Sequence, residues 1–204
     1  MQFTYATSLL LAGLAMASPI ERRGAAADAI AAIAPDSKTC DGSADCRTAA
    51  QAAPFMIQAF QDYKIYAAGQ IAGILALMAF ESDQFKYKHN VSPGRPGQGT
   101  ANMQMYNYNL QYAQSIPAIK SKASSFTENS PDAQKNELLA MITDDKYNFG
   151  SAAWYFTTQC HQDVRDALAV GNDHGFGEYM KCVNVELTDA RNAYWQRAKK
   201  AFNL

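Results

Sequence analysis

An acidic residue at the end of a greasy segment is the first candidate for chemistry. The run Gln70 to Phe80 (QIAGILALMAF) is apolar on almost every face and is followed directly by Glu81. A carboxyl at a helix C-terminus between Phe80 and Phe85 faces two penalties in its ionised form, lost hydration and the negative end of the helix dipole. Both favour the protonated carboxyl that a general acid must hold near neutral pH. An ordinary helix-ending Glu pointing into solvent is the alternative. A second carboxylate, if one is used, comes from Asp83, Asp144 or Asp145. Asp83 is two residues on, roughly 200° around a continuing helix, and Asp144-Asp145 reads equally well as a charge cap ahead of a helix. Ser82 has no His or Lys base beside it in the sequence, so local hydrogen bonding is its expected role. Neither C-x-x-C spacing nor a His cluster is present, so no metal and no cofactor is expected.

Three further segments stand in order along the chain. Ala79 to Phe85 (AFESDQF) carries the pair Glu81-Ser82 and an aromatic. Pro96 to Tyr106 (PGQGTANMQMY) carries the turn Gly97-Gln98-Gly99 and the element Met103-Gln104-Met105. Tyr147 to Tyr155 (YNFGSAAWY) supplies Asn148, Gly150 and Tyr155. Together they resemble the goose-type lysozyme and lytic transglycosylase family across roughly residues 70 to 160. The resemblance implies a mainly-α, lysozyme-like domain and a glycoside hydrolase: a muramidase cutting peptidoglycan between its amino sugars, with Glu81 as catalytic acid. It also implies that Gln104, Tyr106, Asn148 and Tyr155 line a sugar-binding cleft. Cleavage of chitin or chitosan on the same fold, or an inactive secreted binding or effector protein, are the other readings.

The elements that must position these residues follow from periodicity. Apolar positions Phe55, Met56, Ala59, Phe60, Tyr63 and Tyr66 recur at steps of three and four and predict an amphipathic helix from about Thr48. Gln70 to Phe80 predicts a helix through the centre of the core. Asn90 to Thr100, with two prolines and three glycines, predicts a loop. Tyr106 to Ile116 and Asp132 to Ile142 read as helices, the second with Ser130 as N-cap and Pro131 at its first position. Phe149 to Val170 predicts one long helix, Gly175 to Val183 a short one, and Thr188 to Phe202 a last one capped by Thr188. The Ala-rich Gly24 to Ile33 predicts only a turn or two of weak helix. One domain of about six to eight helices, with at most a small β-hairpin near the active-site loop, accounts for this pattern.

Thr7 to Ala17 is a short apolar run ending in a small-x-small pattern, read as a signal peptide over 1–17 and too short for a permanent anchor. The dibasic Arg22-Arg23 then marks a short pro-segment over 18–23, leaving 24–204 as the domain. Export agrees with an even set of four cysteines. Cys40 and Cys46 are spaced to close a local loop, and Cys160 and Cys182 pair by elimination. Asn90-Val91-Ser92 is a glycosylation sequon in which Pro93 follows directly. A formal net charge of −1 offers no basic field for nucleic acid. A secreted monomer acting on a polysaccharide, with no nucleic-acid or membrane partner, is the expectation.

Overall fold

The computed structural model describes residues 19–204. The expected signal peptide and Ser18 lie outside the described residues. Among the described residues the chain is mainly helical and holds no strand, as the sequence predicts. It runs α1 (Pro19–Ile33), a 3-10 turn (Pro35–Lys38), α2 (Ala49–Asp62), α3 (Ala68–Glu81), α4 (Tyr106–Ser115), α5 (Lys120–Ala123), α6 (Asp132–Ile142), α7 (Asp145–Asn148), α8 (Ser151–Gln159), α9 (Gln162–Ala169), α10 (Asp173–Cys182) and α11 (Asp189–Phe202). None of these helices is long and apolar enough to cross a membrane.

The central helix is α3, in which every residue from Ala72 to Ala79 is buried. A helix without a polar face must be covered on all sides; α11 lies along one flank, α9 and α8 on others, and α1 beside them. Close approach of α9 is possible because Gly69 has no side chain: a Cβ there would stand within 2.6 Å of the backbone nitrogen of Gly171 and closer still to the carbonyl oxygen of Leu168. Trp195 on α11, fully buried, stacks on Phe176 of α10 at 4.7 Å and donates its indole N–H to Asp173 at 2.7 Å.

Several boundaries differ from expectation, each for a local reason. α1 is a full helix of 15 residues whose Ile30 and Ile33 enter the core, so packing against α2 and α11 supplies what its composition lacks. The expected pro-segment residues from Pro19 to Arg23 belong to this helix. The long helix expected over 149–170 is two helices broken at Cys160, which is extended and disulfide-bonded. At that break the guanidinium of Arg165 satisfies the freed carbonyls of Thr157 and Cys160, at 2.9 and 2.7 Å. In α6 the cap position falls on Pro131 instead of Ser130, whose hydroxyl accepts from the N–H of Thr127. Thr48 and Thr188 cap α2 and α11 as expected, Thr48 in a capping box with Gln51. Tyr66 lies beyond the end of α2 and is 71% exposed. Both disulfides, Cys40–Cys46 and Cys160–Cys182, are present.

Candidate functional site

The helix α3 ends at Glu81, and the chain then makes a turn of unusual handedness. Asp83, Gln84 and Phe85 all have positive φ, at 48°, 60° and 68°, a conformation that costs ordinary L-residues energy at each step. Neighbours hold it in place. The fully buried Ser82 hydroxyl donates to the Met78 carbonyl at 2.7 Å and accepts from the N–H of Phe85 at 2.9 Å. Gln84 and Asp36 exchange two hydrogen bonds, and the Phe85 ring packs edge-on against Phe149. The turn stops the helix at Glu81 and sends the chain into the loop that faces it.

That loop is a narrow ribbon. Gly99 bridges to His89 on one side and to Gln104 on the other. From beneath, the buried Asn109 of α4 donates to the carbonyls of Gly97 and Gln104, at 2.8 and 3.1 Å. Ser151, at the start of α8, brings its hydroxyl to 2.9 Å from Thr100 Oγ1 and 2.7 Å from Asn102 Oδ1. These contacts leave Met103, Gln104 and Met105 along one wall of a cleft of about 530 Å³. Leu77, Glu81, Tyr108, Tyr155 and Arg191 complete most of the remainder, with Val183 to Val185 as an outer wall and Arg95, Gln98 and Asn102 at the loop side.

Glu81 and Gln104 are thus brought together as expected, and Tyr155 joins them, its ring 4.8 Å from that of Tyr108. The environment of Glu81 differs from the one inferred. Arg191, in the first turn of α11, donates through Nη2 and Nε to Glu81 Oε1 at 2.9 and 3.3 Å, and through Nη1 to the carbonyl of Glu186 at 3.1 Å. Its guanidinium lies 4.6 Å from the centre of the Phe80 ring. The premise of an isolated carboxyl among apolar groups is therefore corrected: Glu81 is half of a partly buried ion pair. Burial raises the Tyr155 phenol well above its ordinary value, with a hydrogen bond to Tyr108 adding to the effect.

Two expected cleft residues are placed elsewhere. Tyr106 is buried and donates to the Thr127 carbonyl at 2.9 Å, because as the first residue of α4 it faces the α4–α6 layer. Asn148 is buried beneath the loop at the end of α7, where its carbonyl accepts from Ala101. Of the possible second carboxylates, Asp144 caps α7, Asp83 is exposed beside Lys86, and Asp145 pairs with Arg47 and Lys88. None lines the cleft. Arg191, Asn109 and Ser151 were not singled out in the sequence. Arg191 lies 110 residues from Glu81, and no local pattern announces that pairing.

Within the cleft wall, the Gln104 side chain, on a residue only 6% exposed, has its Nε2 without any partner, and the Gln98 Oε1 is likewise buried and unpaired. A buried amide without a partner is costly. The second carboxylate oxygen of Glu81, which takes no part in the Arg191 contacts, adds a further polar group to the cleft, beside those of Tyr108, Tyr155 and Asn184.

No protein-family model and no solved structure matches the chain. Over 157 residues, 76% of its length, it is 52% identical to part of a Fusarium oxysporum (strain Fo5176) protein named Bifunctional dioxygenase (DOX)-epoxy alcohol synthase (EAS). The chain spans 12% of that protein's length. This likeness corrects the relationship to goose-type lysozymes and lytic transglycosylases and, with it, the glycoside hydrolase assignment and the muramidase, chitinase and chitosanase readings. Short motifs in register on a helical scaffold led to them. Identity at half of 157 positions is the far more specific signal. Among the described residues no group of three or more His, Cys, Asp and Glu side chains could hold a metal ion. His89, His161 and His174 are each exposed, His89 in the loop, His161 capping α9 and His174 in α10.

Proposed function

We propose that the chain is a ligand-binding helical domain that takes a neutral, hydroxyl-bearing and largely apolar molecule in the Glu81–Gln104 cleft, of the epoxy alcohol class named for its Fusarium relative. The unpaired amide nitrogen of Gln104, buried in the cleft wall, carries this reading. A ligand hydroxyl can accept from Gln104 Nε2 while donating to the free oxygen of Glu81, which satisfies three polar groups at once. Arg191 already neutralises Glu81, so a ligand needs no charge to enter. Leu77, Met103, Met105, Val183, Val185 and the two tyrosines supply apolar wall for the rest of the molecule. Export is part of the same proposal: the apolar Thr7 to Ala17 run, the dibasic pair and two disulfides fit a leader over 1–17, a pro-segment over 18–23 and a binding body over 24–204.

Titration calorimetry of the full chain with a hydroxy-epoxide and with the corresponding unoxygenated hydrocarbon tests this. The oxygenated compound binds at least tenfold more tightly, about 1.4 kcal/mol, and Gln104→Leu removes that preference, with a loss in melting temperature limited to the one hydrogen bond that Gln104 Oε1 accepts from Asn102 at 3.2 Å. Equal affinity for the two compounds would overturn the reading.

A further inference from the structure

On the far side of the same ribbon lies a second cavity, of about 590 Å³, lined by Asp45, His89, Arg95, Gln98, Asn136 and Thr143 among others. Arg95 and Gln98 line both this cavity and the Gln104 cleft, so the two share a wall. At its edge the Nδ1 of His89 meets Asp45 Oδ2 at 2.5 Å. The pair is held from several directions. Asp45 Oδ2 also accepts from the Lys88 backbone N–H at 3.3 Å, and Asp45 adjoins the Cys40–Cys46 disulfide loop. Thr100 N–H donates to the Lys88 carbonyl and Asn90 N–H to the Gln98 carbonyl, at 2.8 and 3.0 Å, so the backbone on both sides of His89 is fixed. The buried Lys88 ammonium is committed to Asp145 and to the Thr143 carbonyl.

A histidine whose Nδ1 is engaged by a carboxylate keeps one tautomer and turns Nε2 outward as a proton acceptor. Among the described residues no protein group pairs with Nε2. Two hydrogen-bond donors line the same cavity. Arg95 forms no ion pair among the described residues, and Asn136 uses its Oδ1 to accept from the Gly97 N–H at 3.0 Å, which leaves its NH₂ available. A base, a positioning carboxylate and donors for a developing oxyanion make up the set that water addition to a strained ring requires.

We infer that the Asp45–His89 cavity is a second, catalytic site that opens epoxides with water. The substrate class rests on the ligand reading above. His89 Nε2 takes a proton from a water molecule as the water oxygen bonds to one epoxide carbon. The ring C–O bond breaks, its electron pair stays on the oxygen, and Arg95 and Asn136 donate to that oxygen. The imidazolium then returns its proton to the alkoxide, so that water and epoxide give a vicinal diol with nothing oxidised or reduced. His89 is the catalytic residue and Asp45 its positioning residue. In a reaction sequence this places the chain after the class of reaction that makes epoxy alcohols, as a step that consumes them.

The full chain incubated with a hydroxy-epoxide in ¹⁸O-labelled water tests the inference, with products read by mass. The wild type gives diol carrying one ¹⁸O atom. The exposed His89→Gln melts with the wild type and loses at least a hundredfold in rate. Asp45→Asn loses less, mainly in kcat, and changes the pH–rate profile, an effect that a merely structural contact would not produce. Calorimetric binding with no labelled diol, or equal rates in wild type and His89→Gln, overturns the second site and leaves the binding reading standing. Absence of binding in calorimetry overturns the binding reading itself.

Discussion

Along α3, eight consecutive residues from Ala72 to Ala79 are buried without one polar side chain, whereas the segment that follows, Ser82 to Met105, carries three left-handed residues in a row, two amide side chains with one buried atom each left unpaired, and the walls of two cavities. The first region is held by apolar packing on every side. The second is held by a few side-chain hydrogen bonds, from its own Ser82 and from Asn109 and Ser151 of the helices beneath it. The contrast shows how a helical body can invest its packing in one element and leave the adjoining loop free to offer unsatisfied polar groups to a ligand.

The largest effect that sharpens this contrast is expected in the packed body. Phe156 is 1% exposed and meets Tyr179 edge-on at 5.4 Å, so Phe156→Ala lowers unfolding free energy by about 3–5 kcal/mol in urea denaturation. A loss below about 1 kcal/mol would mean that the core is loosely packed and the comparison fails. Ser82→Ala comes next, at about 1–3 kcal/mol, because it leaves the Phe85 N–H buried without an acceptor beside a turn that needs support. A protein unaffected by Ser82→Ala would show that the turn stands without its polar support.

The smallest effect is one of pH. Burial alone would raise the Asp145 carboxyl, but hydrogen bonds and charge from Arg47 and Lys88 outweigh it and hold the group below the usual carboxylate range. A depressed folded-state value contributes stability that is present above the unfolded carboxylate range and is lost as pH falls through it towards the folded value. Urea midpoints measured down into the acid range should therefore decline along a limb that Asp145→Asn lacks. An identical acid profile in that variant would remove Asp145 from this role.

The helical class, the C-terminal end of α3, the caps of α2 and α11, the 90–100 loop and both disulfides were legible because each has a local cause: apolar periodicity, a capping threonine, proline and glycine, cysteine parity. The grouping of Glu81, Gln104 and Tyr155 was legible as well. The ion pair of Glu81 was not, because its partner Arg191 arrives from the last helix of the chain. Tyr106 and Asn148 were misplaced because a residue's side of a helix depends on what packs against it, which three-residue motifs do not encode. The Asp45–His89 pair joins a disulfide loop to the ribbon across 44 positions, again beyond the reach of local pattern. Function was misread because those motifs fit a helical scaffold of another kind, and identity spread over 157 positions overruled them.

The helix α1 runs without interruption from Pro19 to Ile33, across the Arg23–Gly24 bond at which the proposed pro-segment ends. Endoproteases grip their substrates in extended form, and a peptide bond inside a helix presents its carbonyl to its own backbone instead. On the processing proposed above, removal of that segment is a matter of timing: the cut comes while the chain is still nascent, or it waits on fraying of the helix end, so the rate of trimming would report how firmly the N-terminal helix has docked.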